Sequence, residues 1–395
     1  MNLEDKKIEE AIEKFGTPLY IFDIDILFDT VKKFRTGLGN DMGLCYAMKA
    51  NPFVTDKIFD VVDKIEVCSM GEFRICKELN IPPEKVLISG VLKKEDDILE
   101  ILQYYGVECC YTVESLYQFD IFDRWSRKNQ KKLRIYPRLT SGNQFGLDKE
   151  LIDVIIKFSL VNPYLEVVGI HYFSGTQKKN VGKIKKELEF LDEILLEFEE
   201  NLNYKLSELE YGPGFAVSYF ENQNDTTEED IYELRKVIND MKWNGKVTFE
   251  MGRAFAADCG YYLTTVKDVK CNGGRNFCIV DGGLHQMNYD GQIRGMYKPV
   301  TSLFPKRDDG NIKGWNVCGS LCTANDVLVQ NALFDGLKIG DVIVFCKAGA
   351  YSVTEGMALF LSHSLPEIIT YSMKDDFNIL RNRMKTFKLN MKNNN

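Results

Sequence analysis

The sequence predicts an α/β fold, a (β/α)8 (TIM) barrel followed by a C-terminal, mainly β domain. Three observations carry this expectation. Eight short apolar runs alternate with helical patterns between about residues 42 and 249, and strict alternation of that length favours a closed barrel over an open sheet. After about residue 262 the pattern changes to Gly-punctuated runs that read as strands. The 395 residues, 45% of them hydrophobic, suffice for two domains and at least one large core.

The elements follow in chain order. Thr17-Pro18-Leu19-Tyr20-Ile21-Phe22 reads as a strand that precedes the barrel and is free to pair with the C-terminal domain. Residues 1–24 are therefore grouped with 263–395, leaving 25–262 for the barrel. The barrel runs are Met42–Met48, Lys64–Cys68, Val86–Ser89, Cys109–Thr112, Leu133–Pro137, Leu165–Ile170, Ser207–Tyr211 and Lys246–Phe249. Helical stretches lie between them at Lys94–Tyr105, Glu150–Ser159, Val181–Glu200 and Thr227–Lys242. In the third of these, Ile184, Leu188, Leu191, Ile194 and Leu195 share one face, as in a helix packed on a sheet. Val280-Asp281-Gly282-Gly283 and Asp341–Lys347 belong to the β domain. The tail Lys388–Asn395 reads as a frayed, solvated end.

Composition excludes several classes. A net charge of -8 is the wrong sign for nucleic acid or an anionic membrane surface. No apolar run reaches the roughly 18 residues of a membrane span. The start, Met1-Asn2-Leu3-Glu4-Asp5, is acidic and amphipathic, unlike a signal peptide. Eleven cysteines without a secretory signal point to a reducing cytoplasm. No paired C-x-x-C spacing and only three histidines argue against a metal centre.

Barrel active sites form at the C-terminal ends of the strands. Those ends carry Lys49, Glu66 with Ser69, Ser89-Gly90, Glu114, Arg138, His171, Gly212–Phe215, and Glu250 with Gly252-Arg253. A strand-end lysine more often just reaches solvent, but Lys49 also suits a Schiff-base lysine, whose amine must be positioned and partly desolvated. Gly212-Pro213-Gly214-Phe215 is either an ordinary turn or a phosphate cradle, where missing side chains let backbone N–H groups approach an anion. Gly252-Arg253 adds a second anion element at the next strand end. Glu250 either pairs with Arg253 or holds a proton on a pyridine nitrogen, as pyridoxal phosphate (PLP) chemistry needs. A lone histidine is more often packed core, yet His171 is followed by Ser174-Gly175, which suit a cofactor-facing loop.

Together these residues resemble the fold-type III PLP-dependent decarboxylases, the ornithine/diaminopimelate/arginine decarboxylase family with its alanine-racemase-like fold. The resemblance runs from about Thr17 to Ile369. Tyr46-Ala47-Met48-Lys49-Ala50-Asn51 resembles the cofactor-lysine motif. His171 resembles the histidine that stacks on the cofactor ring, and Ser174 the phosphate-side serine. Gly212-Pro213-Gly214-Phe215 is similar to the Gly-rich phosphate turn, and Glu250-Met251-Gly252-Arg253 to Glu-Pro-Gly-Arg. Arg294 resembles a substrate-pairing arginine. Gly319-Ser320-Leu321-Cys322-Thr323-Ala324-Asn325-Asp326 resembles the Cys-containing motif of the second domain, and Gly349-Ala350-Tyr351 the segment whose tyrosine reaches the phosphate.

The resemblance implies PLP bound through Lys49, Glu66, His171, Ser174, Gly212, Gly214, Glu250, Gly252, Arg253 and Tyr351. Substrate contacts fall to Thr323, Asp326 and Arg294. Cys322 becomes the general acid that returns a proton after CO2 leaves, contributed across an obligate homodimer with two shared sites. The sequence departs from the family at four places. Glu66 replaces an aspartate, Gln144 a lysine, and His363-Ser364-Leu365-Pro366 an Arg-Pro-rich ending. Thr323 stands where ornithine and diaminopimelate decarboxylases carry an acidic residue that binds a distal ammonium. Thr323, His171–Gln177, Arg138–Gly146 and Gly349–Leu361 look closest to a branch acting on glutamyl groups carried by an acyl-carrier protein in secondary metabolism. A free amino acid, including diaminopimelate, is the alternative. A racemase fits the Cys322 motif less well. A non-catalytic homologue would tend to have lost Lys49 or Cys322.

Overall fold

The computed structural model describes residues 4–392. The sequence readings at Met1–Leu3 and at the last three residues of the tail lie outside the described residues. Two compact units form. One comprises Thr30–Ala216 and Thr226–Phe255, the other Met1–Asp29, Val217–Asp225 and Ala256–Asn395. The short excursion Val217–Asp225 interrupts the first unit, where the sequence suggested one continuous 25–262 span.

The first unit is the barrel. Its strands are Gly43–Ala47, Lys64–Val67, Val86–Ile88, Cys110–Val113, Leu133–Leu139, Leu165–Val167 with Gly169–Phe173, Glu208–Gly212 and Lys246–Met251. Each pairs in parallel with the next. The eighth returns to the first, with Glu250 beside Cys45, and closes the ring. All eight predicted runs are therefore strands. The sixth is broken at Val168. A Cβ at Gly169 would collide with the Glu208 carbonyl oxygen, so the second half draws close to the seventh strand only because that residue is glycine.

Helices cover the outside. In Val181–Leu202 the predicted face Ile184, Leu188, Leu191, Ile194 and Leu195 is buried, extended by Phe198. Asn180 caps this helix by accepting from Gly182 N at 2.7 Å. The barrel interior is apolar at Cys45, Leu87, Cys110, Tyr136 and Val168.

The second unit is a nine-stranded sheet. Leu19–Asp23 pairs antiparallel with Gly260–Asn272 and parallel with Glu367–Ser372, as expected of a strand that joins the C-terminal domain. Its core gathers Leu19, Ile21, Leu263, Val342, Val344 and Ile369. The tail is exposed from Phe387 to Lys392, yet it is tied down rather than frayed at Asn390, whose Nδ2 donates to Leu359 O at 2.7 Å. No helix among the described residues is long and apolar enough to cross a membrane.

Candidate active site

The first barrel strand ends in a 3-10 turn, Met48–Ala50, that carries Lys49. Local chemistry fixes this turn. Tyr46 OH donates to Asn51 O at 2.9 Å, and the buried Asn51 side chain accepts from Phe53 N at 3.0 Å, opening the next turn at Pro52. Lys49 Nζ then lies 2.6 Å from Glu66 Oε2 and 3.4 Å from Glu250 Oε1. Both carboxylates are buried, and a shared ammonium is what makes that tolerable.

Each carboxylate uses its second oxygen elsewhere. Glu66 Oε1 accepts from Cys68 Sγ at 2.8 Å. Glu250 Oε2 lies 2.9 Å from His171 Nε2. Burial opposes ionisation of Glu250, but the Lys49 ammonium and the His171 hydrogen bond outweigh it and hold its pKa down at about 2. Burial and the Glu66 charge push the Cys68 thiol well above its usual value, so it is a donor and not a thiolate.

These groups open onto a cavity of about 250 Å³ at the strand ends. Lys49, Glu66, His171 and Glu250 line it, together with Cys68, Ser89, Gly90, Val91, Arg138, Phe145 and Phe173. A pyridoxal ring fits this chemistry. The Lys49 side chain is 39% exposed, the buried Glu250 carboxylate lines the cavity and holds only a long 3.4 Å contact to Lys49 on one oxygen, and the buried His171 keeps Nδ1 without a partner among the described residues.

The other predicted residues of this unit sit around the same rim. Gly214 has φ +65°, and a Cβ there would strike the Gly175 carbonyl oxygen. The two loops are also joined by Lys178 N donating to Gly214 O at 2.9 Å. A Cβ on Gly212 would lie 2.6 Å from the Phe173 ring, and one on Gly252 2.8 Å from Ala50 Cβ. Glycine at 252 therefore lets the eighth strand close on the Lys49 turn. Arg253 is buried, with Nε 3.4 Å from Thr176 Oγ1. Glu250 pairs with Lys49 and His171, so the bland expectation of a Glu250–Arg253 pair is not met. Ser174 Oγ donates to Glu187, which also accepts from Lys178 Nζ and Tyr211 OH, each at 2.7 Å. Its hydroxyl is committed to a carboxylate that the sequence reading did not foresee.

In the second unit, Cys322 is exposed on the loop between Ile312–Cys318 and Val327–Asp335. Thr323 is half-buried and its Oγ1 accepts from Asn325 N at 3.3 Å. Asp326 departs from expectation. It is 2% exposed, and its two oxygens accept from Leu284 N and Leu321 N, each at 2.8 Å. A buried carboxylate needs such donors, and here they turn it into its own loop instead of toward a substrate. Arg294 is exposed with φ +48°, and its carbonyl accepts from Gln330 Nε2. Tyr351 is half-buried with φ +64°; its carbonyl accepts from Thr354 N and Glu355 N.

Cys68, Arg138 and Phe145 are among the cavity groups that escaped assignment from sequence. Cys68 lies two residues after Glu66, one residue past the end of the strand Lys64–Val67, a spacing that keeps both on one face while the chain stays extended, so a signal existed. Arg138 was visible only as a rim residue. Phe145 lies 4.7 Å beneath its guanidinium, a contact no local pattern announces. Gln144, the departure from the family's lysine, is exposed.

With this geometry the comparisons with known proteins agree. The sequence model of a family described as pyridoxal-dependent decarboxylase, pyridoxal binding domain, matches residues 26–257, more than half of the chain. The chain belongs to this family, and it is a PLP-dependent carboxy-lyase. Among its relatives, the L-glutamyl-[BtrI acyl-carrier protein] decarboxylase of Niallia circulans is 25% identical over 394 residues, covering 93% of this chain and 91% of that protein. The diaminopimelate decarboxylase of Aquifex aeolicus is 24% identical over 370 residues, covering 88% and 85%. Among solved structures, diaminopimelate decarboxylase from M. jannaschii in co-complex with L-lysine superposes with a TM-score of 0.84 at 21% identity, covering 96% of this chain and 92% of that one. At that identity the likeness shows the shared fold.

Proposed function

We propose that this enzyme removes the α-carboxylate of an amino-acyl substrate that lacks a free distal ammonium, with a glutamyl group on an acyl-carrier protein as the leading class. The observation that carries the choice is Thr323. A hydroxyl can hydrogen-bond an amide, carboxylate or thioester carbonyl for about 1 kcal/mol. It cannot replace a carboxylate opposite an ammonium, and an unpaired ammonium in a closed site costs several kcal/mol. The relative that acts on a glutamyl carrier protein supports this reading.

Bound PLP supplies an electron sink for the pair left on Cα when CO2 departs. Lys49 would hold the cofactor through its amine, which Glu66 and Glu250 orient. Glu250, ionised and buried, would keep the ring nitrogen protonated. His171 would lie against the ring. Gly212, Gly214, Gly252 and Arg253 would surround the phosphate. The partner subunit's Cys322 would return a proton to the carbon that lost CO2, in a homodimer with shared sites. Arg294 would pair with a substrate anion.

A second reading, diaminopimelate decarboxylation, is favoured by relatives such as those of Aquifex aeolicus and Methanocaldococcus jannaschii. One measurement separates the two. CO2 release is followed for glutamyl-carrier protein, glutamate, diaminopimelate, ornithine and lysine. A kcat/KM for a glutamyl substrate at least tenfold above any diamino acid is expected, about the value of one charge-assisted contact. Efficient turnover of diaminopimelate would defeat the proposal and install the second reading.

A further inference from the structure

The cavity wall divides by chemistry. From the first, second and eighth strands, Lys49, Glu66 and Glu250 satisfy one another. From the third and fifth strands the balance is different. Ser89, at the end of the third strand, is 4% exposed, and its Oγ has no hydrogen-bond partner among the described residues. Arg138, on the fifth, is 7% exposed. Its guanidinium has five N–H donors but, among the described residues, makes one side-chain hydrogen bond, Nη1 to Glu114 Oε1 at a long 3.3 Å. The Phe145 ring braces it from one face, 4.7 Å from Cζ. Both Ser89 and Arg138 line the cavity.

Buried polar groups in folded proteins are ordinarily satisfied. Two under-satisfied groups facing one cavity therefore call for an acceptor that arrives from outside. A guanidinium fork and a neighbouring hydroxyl match a planar anion with two oxygens. Glu114 does not cancel this. It engages one nitrogen through one oxygen, and its Oε2 is itself buried without a partner.

We propose that Arg138 and Ser89 form a carboxylate-binding subsite of the cavity that orients a carboxylate of the substrate. The inference rests on the decarboxylase reading above and deepens it, because it requires a carboxylate-bearing substrate and names the residues that read it. The carboxylate has two sources, the one lost as CO2 or one further along the side chain. Nothing about Thr323 enters the argument, so the two proposals fail separately.

The test uses the PLP-loaded protein and three amines of one length, each read by the change in the cofactor's visible absorbance. Butylamine has no carboxylate, 2-aminobutyrate carries it beside the amine, and 4-aminobutyrate carries it at the far end. Arg138→Gln is expected to weaken one of the two carboxylates by about tenfold or more and to leave butylamine unchanged. Loss confined to 2-aminobutyrate assigns the subsite to the departing carboxylate; loss confined to 4-aminobutyrate assigns it to the distal one. Arg138→Lys should restore part of the affinity, and Ser89→Ala should show a smaller loss of the same selectivity. Equal effects on all three amines, or none, overturn the proposal. If Arg138→Gln does not fold, Arg138→Lys and Ser89→Ala carry the comparison, and no carboxylate selectivity in either overturns it. A second arm needs no cofactor. Glutarate should raise the melting temperature of cofactor-free wild type more than that of the Arg138 variant, and equal shifts overturn the subsite. Wild type without a cofactor band would instead defeat the proposed function, with the glutarate arm still deciding the subsite.

Discussion

Lys49 sits where two buried carboxylates converge, and this makes its chemistry testable at single-residue resolution. Borohydride reduction of the PLP-loaded protein should fix the cofactor on Lys49, located by peptide mass spectrometry; an adduct on another lysine would refute the assignment. Glu250 makes a second prediction. Its pKa in the fold is lowered from 4.5 to about 2, chiefly by Lys49 and His171 acting against burial. A depressed carboxylate stabilises the fold above its unfolded pKa and loses that contribution as pH falls through the folded one. Cofactor-free wild type should therefore lose stability between pH 4.5 and about 2 more steeply than Glu250→Gln, measured by denaturant midpoints. Parallel slopes would remove Glu250 from the explanation. At position 323, Thr323→Glu should raise kcat/KM for diamino acids, because it supplies an anion where the wild type has only a hydroxyl. No gain would mean that distal charge is read elsewhere.

Among the elements, the loops after the sixth and seventh strands are locked together by backbone contact. Gly214 has left-handed φ and no room for a Cβ against Gly175, and strain of this kind costs on the order of 1–3 kcal/mol. Gly214→Ala should lower PLP affinity in a cofactor titration. Gly142→Ala, also at positive φ but with open space around its Cβ position, should leave PLP affinity unchanged. Equal loss in both would mean that the turn does not shape the site. The eight strands were legible because each is a short apolar run bounded by helical periodicity, and Lys49, Glu66, His171 and Glu250 were legible because strand ends in a barrel share one rim. The break at Val168 was not, since it depends on Gly169 meeting Glu208 across a strand gap. Nor was the capture of Ser174 by Glu187. That carboxylate is one of several on its helix, and only the three-dimensional path of the loop selects it. The setting of Asp326 was hidden for the same reason. A sequence shows that a carboxylate is present, but not whether its donors are backbone amides of its own loop.

The two units divide the chemistry. The candidate cofactor lysine belongs to the barrel and the candidate acid Cys322 to the β unit. If each site draws these from different subunits, Lys49→Ala and Cys322→Ala should each abolish correct product formation alone. Mixed and refolded together they should recover about a quarter of wild-type activity, since random pairing makes about half the dimers hybrid and each hybrid has one intact site. No recovery would place both groups in one subunit. The inward-turned Asp326 has a consequence of another kind. Because it braces the Cys322 loop from within, through the Leu284 and Leu321 amides, the loop keeps that support whichever residue stands at 323. That position is free to drift. A lineage can exchange a hydroxyl for an acid there, and so trade one diet for another, by altering one codon and leaving the architecture that presents it untouched.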